Sequence, residues 1–162
     1  MTDEAVSSGL EAVTGYLEEQ GIGYEVREHR AAYTAAEEAR AVDLPPDDAT
    51  KSIALRDESG YRLAVIPASQ RLDLHKVREA LGAGKSLRLA TEKEMESDLP
   101  QFEVGALPPL GPLVGAPEVV DQRLLEHERI LCNAGDHRHG LLLDPHELVE
   151  VVQPKVADIC ED

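Results

Sequence analysis

Lys51 opens the run TKSIALRD, where the chain turns apolar directly after it. Lysine is rarely buried without a partner. At the mouth of a strand it offers a point charge that can hold a phosphate or polarise a carbonyl. Ser52 stands beside it. A second unusual feature is the stretch 104–117, VGALPPLGPLVGAP, with no charge in a chain where 30% of residues are charged. Pro108, Pro109 and Pro112 remove donors and argue against a helix. They argue equally against a central strand, yet the stretch is too apolar for an ordinary solvated loop. A third feature is His137 and His139, with Cys132 nearby. On a strand the two histidines share a face and could be two ligands of a metal. A third ligand is missing and DHRHG reads as a polar turn, so no metal and no cofactor are expected. Further candidates are His29, Tyr33 and Thr34 ahead of a helix, and Asn133, Gly135, Asp136 and His137 in a late turn. There is no GxSxG elbow, P-loop, GxGxxG or HExxH.

Composition bounds what these residues can serve. A chain of 162 residues can bury a real core within one domain, expected over 1–162. Apolar residues make up 42% and aromatics only 3%, so the core must be built from Leu, Val, Ile and Ala. No apolar run reaches the ~18 residues of a membrane span, and the acidic N-terminus lacks the layout of a signal peptide. A cytoplasmic protein without membrane contact is expected. The two cysteines, Cys132 and Cys160, form no CxxC pair and suggest no disulfide framework. Thirty-two acids against 16 bases give a net charge of −16, spread along the chain. This reads as a solvated acidic surface, with adaptation to high salt as its sharper form. Such a field repels nucleic acid at low salt.

The elements that must position these residues are marked by their caps. Ser8 and Glu11, Thr34 and Glu37, Thr91 and Glu94, and Asp144 and Glu147 have capping-box spacing. Asp73 caps LHKVREAL, which Gly82 can end. Strand candidates are 24–29, 50–57, 61–68, 86–90, 118–122, 129–133 and 139–144, the second and third forming a hairpin around Glu58-Ser59-Gly60. Strands outnumber helices without strict alternation. This predicts an α+β fold with a mixed, strongly curved sheet.

In order, the chain reads H-x3-YTAxE, ATKSIAL, LAVIPAxxRLDLxKVREALG, EVGALPPLGPLVG and ILCNAGDH. This series resembles the YbaK/ProX family of aminoacyl-tRNA editing domains, also found inserted in prolyl-tRNA synthetases. The likeness runs from about residue 24 to 152. It implies a single domain with a barrel-like mixed β-sheet surrounded by helices. It also implies hydrolysis of the ester joining a wrong amino acid to the tRNA 3′ end, with Cys-tRNA(Pro)- or Ala-tRNA(Pro)-like substrates. A prolyl-tRNA synthetase is an implied partner. The family's lysine corresponds to Lys51 and its GxxxP loop to Gly105 through Pro109. Pro108 stands where family members often have Ser. Gly105 permits close backbone approach, and the prolines fix the loop in advance. The N–H groups of Gly105, Ala106 and Leu107 could then face an ester carbonyl as an oxyanion site. Water or the substrate's own group attacks, so no nucleophilic side chain is required. Ser52, His29, Tyr33, Ala106, Leu107, Pro108, Asp136 and His137 are the expected substrate contacts. At this length the protein would act in trans. Two other readings stay open: a non-catalytic module binding an amino-acid-like ligand or a protein in the same pocket, and a metal hydrolase using His137, His139 and Cys132.

Overall fold

The computed structural model describes residues 8–162. Helix α1 (Ser8–Gln20) leads into β1 (Tyr24–Glu28), α2 (Ala35–Ala41) and the hairpin β2 (Thr50–Asp57) and β3 (Gly60–Pro67). Then come α3 (Leu74–Leu81), β4 (Arg88–Leu89), α4 (Glu92–Asp98), α5 (Gly111–Val114), β5 (Glu118–Asp121), β6 (Ile130–Asn133), β7 (His139–Leu143), α6 (Pro145–Val152) and β8 (Lys155–Ala157). Short 3₁₀ turns cover Pro46–Asp48 and Gln122–Glu126.

The caps act as their residue types dictate. Thr34 Oγ1 accepts from the Glu37 amide at 3.1 Å, and Glu37 returns the bond to the Thr34 amide at 3.1 Å. Thr91 and Glu94 repeat the arrangement. Asp73 caps α3, and Gly82 ends it in the left-handed region at φ 65°. Asp144 caps α6 through the His146 amide at 2.8 Å, but Glu147 does not complete a capping box. Its carboxylate accepts instead from Gly23 N at 3.0 Å, tying α6 to the start of β1.

The strands form a three-stranded antiparallel sheet, β1-β7-β6, and a five-stranded mixed sheet, β4-β2-β3-β5-β8. A bridge between Ala49 and Leu131 joins them, reinforced by Thr50 Oγ1 donating to Leu131 O at 3.2 Å. The result is curved and does not close into a barrel. One core lies between the sheets: Ala54, Leu63 and Val65 meet Ile130, Cys132, Leu141 and Leu143, closed by Leu10, Val13 and Leu17 of α1. A second core packs Leu55, Ala64 and Ile66 beneath Val77 of α3. A third sets Ala39 of α2 on Leu131 and Leu142. Each fully buried Leu, Val or Ile contributes about 1.5–3 kcal/mol, which is how so aromatic-poor a chain sustains its fold.

One expectation is corrected. The stretch 104–117 does contain a helical turn, α5, with Pro112 in its first turn. First-turn amides have no intrahelical acceptor, so a proline there removes nothing. Gly115, at φ 65°, ends it.

Candidate active site

The loop ahead of α5 is held by the turn between β6 and β7. Glu103 N donates to Gly135 O at 2.9 Å, and Gly135 N to Ala106 O at 3.0 Å. His137 N donates to Glu103 Oε1 at 2.7 Å. Asn133 Nδ2 reaches Gly105 O at 3.4 Å, and His137 Nε2 lies 2.8 Å from Val104 O. The turn is held in its own right, because Gly135 packs backbone to backbone against Gly9 of α1. A Cβ on Gly135 would lie 2.7 Å from the Gly9 carbonyl carbon.

Burial explains the apolar composition of this segment. Ala106, Leu107, Pro108, Pro109 and Leu110 are all buried, Leu107 and Leu110 within the core between the sheets. What the loop presents outward is Gly105, at φ 87°. A Cβ there would meet only His137 Cε1, at an ordinary 3.5 Å. The demand for glycine is therefore set by the backbone conformation. The expected trio of free amides is corrected: Ala106 N donates to Glu103 O at 3.0 Å. Gly105 N and Leu107 N have no acceptor among the described residues.

Around the turn lies a buried polar cluster. His29 Nε2 is 3.1 Å from Glu38 Oε2, with both side chains almost fully buried. His29 Nδ1 faces Arg30 O at 2.6 Å. The hydrogen bond to Glu38 raises the His29 pKa against the opposing effect of burial. Burial raises the Glu38 pKa despite the neighbouring histidine. Both shifts point the same way: the pair keeps its proton to higher pH than either group alone. Glu38 Oε1 is buried without a partner. His137 sits between Ala32 O, at 3.1 Å from Nδ1, and Val104 O, while the ring of Tyr33 rests on it at 4.8 Å between centroids. His139 Nδ1 faces the carboxylate of Asp136 at 2.9 Å, and Asp136 also accepts from Arg138 N.

The structure thus brings His29, Tyr33, Gly105, Ala106, Asp136 and His137 into one connected set. Lys51 and Ser52, at the start of β2, make no side-chain hydrogen bond or ion pair to this set among the described residues. The pairing of Lys51 with Ile66 and of Ser52 with Val65 puts them on opposite faces. Ser52 lies on the side of the core that holds Leu107 and Leu110, and its hydroxyl is buried without a partner. Lys51 is half-buried and has no ion-pair partner or hydrogen bond to the loop among the described residues. The residues suggested as metal ligands are occupied otherwise. Cys132 lies in the core, its thiol pushed up to about 12 by burial, and His137 and His139 face the acceptors named above. Among the described residues no group of three His, Cys, Asp or Glu is placed to hold a metal ion.

The family model for the aminoacyl-tRNA editing domain matches residues 29–151. The chain belongs to the aminoacyl-tRNA editing domain family. Solved structures agree with this. A candidate trans-editing enzyme for prolyl-tRNA synthetase is 31% identical and superposes with a TM-score of 0.84, the match covering 97% of this chain and 99% of that one. The hypothetical protein APE2540 is 27% identical at TM-score 0.83, over 93% of this chain and 100% of the other. A protein from a study of linear epitopes grafted onto scaffolds is 29% identical at TM-score 0.84, over 97% and 99%.

In this editing domain the residue of the candidate site that sequence reasoning missed is Glu38. A signal for it existed. Ala35, Glu38 and Ala39 share one face of α2 at helical spacing, and that face packs on the sheet. A glutamate on an otherwise small, apolar face has to be paired, and His29 is its partner.

Proposed function

We propose that the protein is an aminoacyl-tRNA deacylase acting in trans on mischarged tRNA, with Cys-tRNA(Pro)- or Ala-tRNA(Pro)-like esters as substrates. The observation that carries this reading is the loop at Gly105. In a chain of the editing family, it exposes a glycine backbone at φ 87° while the amides of Gly105 and Leu107 have no acceptor among the described residues. Attack on the ester carbonyl by water or by the substrate's own group forms a tetrahedral oxyanion. Donors fixed in advance stabilise that charge without reorganising. The C–O bond to the terminal ribose then breaks and the nucleophile's proton restores the ribose hydroxyl, so that water attack releases the free amino acid and attack by a side-chain group of the amino acid releases its cyclic form. The buried prolines at 108 and 109 hold the loop's shape, and the turn at 133–137 holds its position. Lys51, without a carboxylate partner among the described residues, supplies the positive charge that steadies the terminal nucleotide or the carbonyl. Pro108, where related proteins often carry Ser, offers neither hydroxyl nor N–H, so amino-acid choice at this site rests on shape. A prolyl-tRNA synthetase is the natural supplier of the substrate.

The test is deacylation of a panel of mischarged tRNAs by the purified protein, at low and at high salt. Hydrolysis of Cys- or Ala-tRNA(Pro) above the spontaneous rate supports the reading. Binding of those tRNAs with no acceleration for any amino acid overturns it in favour of a non-catalytic binding module.

A further inference from the structure

Of the large apolar side chains described, Tyr33 is the most exposed, at 66%. Its backbone is fixed all the same. Tyr33 N and Thr34 N both donate to Glu37 Oε1, at 3.0 and 3.1 Å, so the cap of α2 fixes where the ring starts. One side of the ring leans on His137 at 48°, and His137 in turn abuts Gly105. The rest of the ring faces solvent. Two cations leave the same junction. His29 N donates to Arg138 O and Ala32 N to His137 O, which lays residues 29–32 alongside 137–138 and places Arg30 and Arg138 at this junction. Both are exposed, and neither has an ion-pair partner among the described residues. In a chain with twice as many acids as bases, Arg56, Arg88, Arg123 and Arg129 are paired, while Arg40, Arg71 and Arg78 also lack an ion pair among the described residues.

We propose that this junction is the dock for the 3′-terminal nucleotides of the tRNA, with the Tyr33 ring stacking on a base and Arg30 and Arg138 meeting the phosphates. The assignment rests on the deacylase reading for its location, since the ester sits on the terminal ribose and its base must lie within one nucleotide of Gly105. Its chemistry is independent of that reading. A pre-positioned aromatic face beside unneutralised guanidiniums matches a base and its phosphate. Stacking tolerates any base and any salt, which suits a protein whose overall field repels a polyanion.

The experiment uses an uncharged acceptor-stem hairpin with 2-aminopurine at its 3′ end, titrated with the full chain, and deacylation of the aminoacylated hairpin measured in parallel. Wild-type protein is expected to quench the fluorophore at saturation. Tyr33→Phe should keep the quench and bind within about twofold. Tyr33→Ala should lose the quench and bind roughly tenfold more weakly, with an unchanged melting temperature because the side chain buries little. Arg30→Gln and Arg138→Gln should weaken binding whatever the terminal base, leaving the quench at saturation intact. Wild-type quench and affinity in Tyr33→Ala, or a loss in Tyr33→Phe equal to that in Tyr33→Ala, would overturn the dock. Hydrolysis with binding indifferent to Tyr33 removes the dock and leaves the deacylase standing. A Tyr33-dependent quench without hydrolysis does the reverse.

Discussion

At Gly105 the constraint is conformational, and this makes two effects separable. A side chain at φ 87° is strained by roughly 1–2 kcal/mol, although space for a Cβ exists. Gly105→Ala is expected to lose about that much stability, and Gly105→Val more, because a β-branched residue tolerates this region least. In both variants single-turnover deacylation by the folded fraction should fall about a hundredfold, as the two amides swing away from the ester. A loop that only connects strands would leave the specific activity of the folded protein unchanged. Lys51→Ala should reduce deacylation by a similar factor while the melting temperature stays within a few degrees, since Lys51 has no ion pair among the described residues. Glu118 poses a separate question of charge. Its carboxyl is buried, bound at Oε1 by Gly111 N at 2.6 Å and unpartnered at Oε2, and burial pushes its pKa up to about 8. The unfolded chain ionises this group near its ordinary value, whereas the fold keeps it protonated up to about pH 8. Its contribution to stability is therefore intact below about pH 4.5 and is lost progressively as pH rises to about 8. Glu118→Gln keeps an acceptor for Gly111 and removes the titration. Relative to wild type, the variant should gain on the order of 3 kcal/mol between pH 5 and pH 8.5, read from denaturant unfolding at both values. A difference that does not change with pH would mean that Glu118 is already ionised in the fold.

Elements that announce themselves by local chemistry could be read from the sequence alone. The boxes at Thr34 and Thr91 and the Asp73–Gly82 pair bound α2, α4 and α3, because caps are satisfied within a few residues. The seven expected strands are all present: β1 was legible by its alternation, whereas β5, β6 and β7 are short apolar runs buried throughout and bounded by turn residues. What escaped depends on partners far along the chain. β8 is three residues paired parallel to β5 at an edge, with no pattern of its own. α5 hides among prolines that would break any longer helix. The Ala106 amide is lost to Glu103, and Glu147 is drawn to Gly23 instead of its own cap. The candidate site was legible as residue types, Gly105, Asp136 and His137 above all. The clamp that joins them was not, because it consists of backbone bonds between residues some thirty positions apart. That clamp and the α2 cap can be tested as a unit. Thr34→Ala removes a cap worth about 1 kcal/mol and loosens the Glu37 hold shared with Tyr33 N. It should lower stability by that amount and also weaken tRNA binding, whereas Thr91→Ala, which removes the equivalent cap on the distant α4, should cost similar stability and leave binding untouched.

Across the whole molecule the net charge of −16 sets the terms for both folding and binding. Self-repulsion among carboxylates is screened as the Debye length shortens from about 10 Å at 0.1 M to about 3 Å at 1 M salt. Thermal stability should accordingly rise with added KCl, and a flat or falling melting temperature would show that local ion pairs, not repulsion, dominate. The same field acts on tRNA, with a consequence that distinguishes this protein from ordinary nucleic-acid binders. Two phosphate contacts, from Arg30 and Arg138, would alone give a slope of log affinity against log salt of about −1.4 for a single-stranded end. Long-range repulsion works in the opposite direction, because added salt weakens it. The wild-type slope should therefore be shallower than about −1.4 between 50 and 200 mM salt. Replacing both arginines with glutamine removes the attractive contacts and leaves the repulsion, so affinity in that variant should rise with salt. A wild-type slope of −3 or steeper, measured by titrating the acceptor hairpin at four salt concentrations, would show that further cations contact the phosphates and that the acidic surface is turned away from the tRNA.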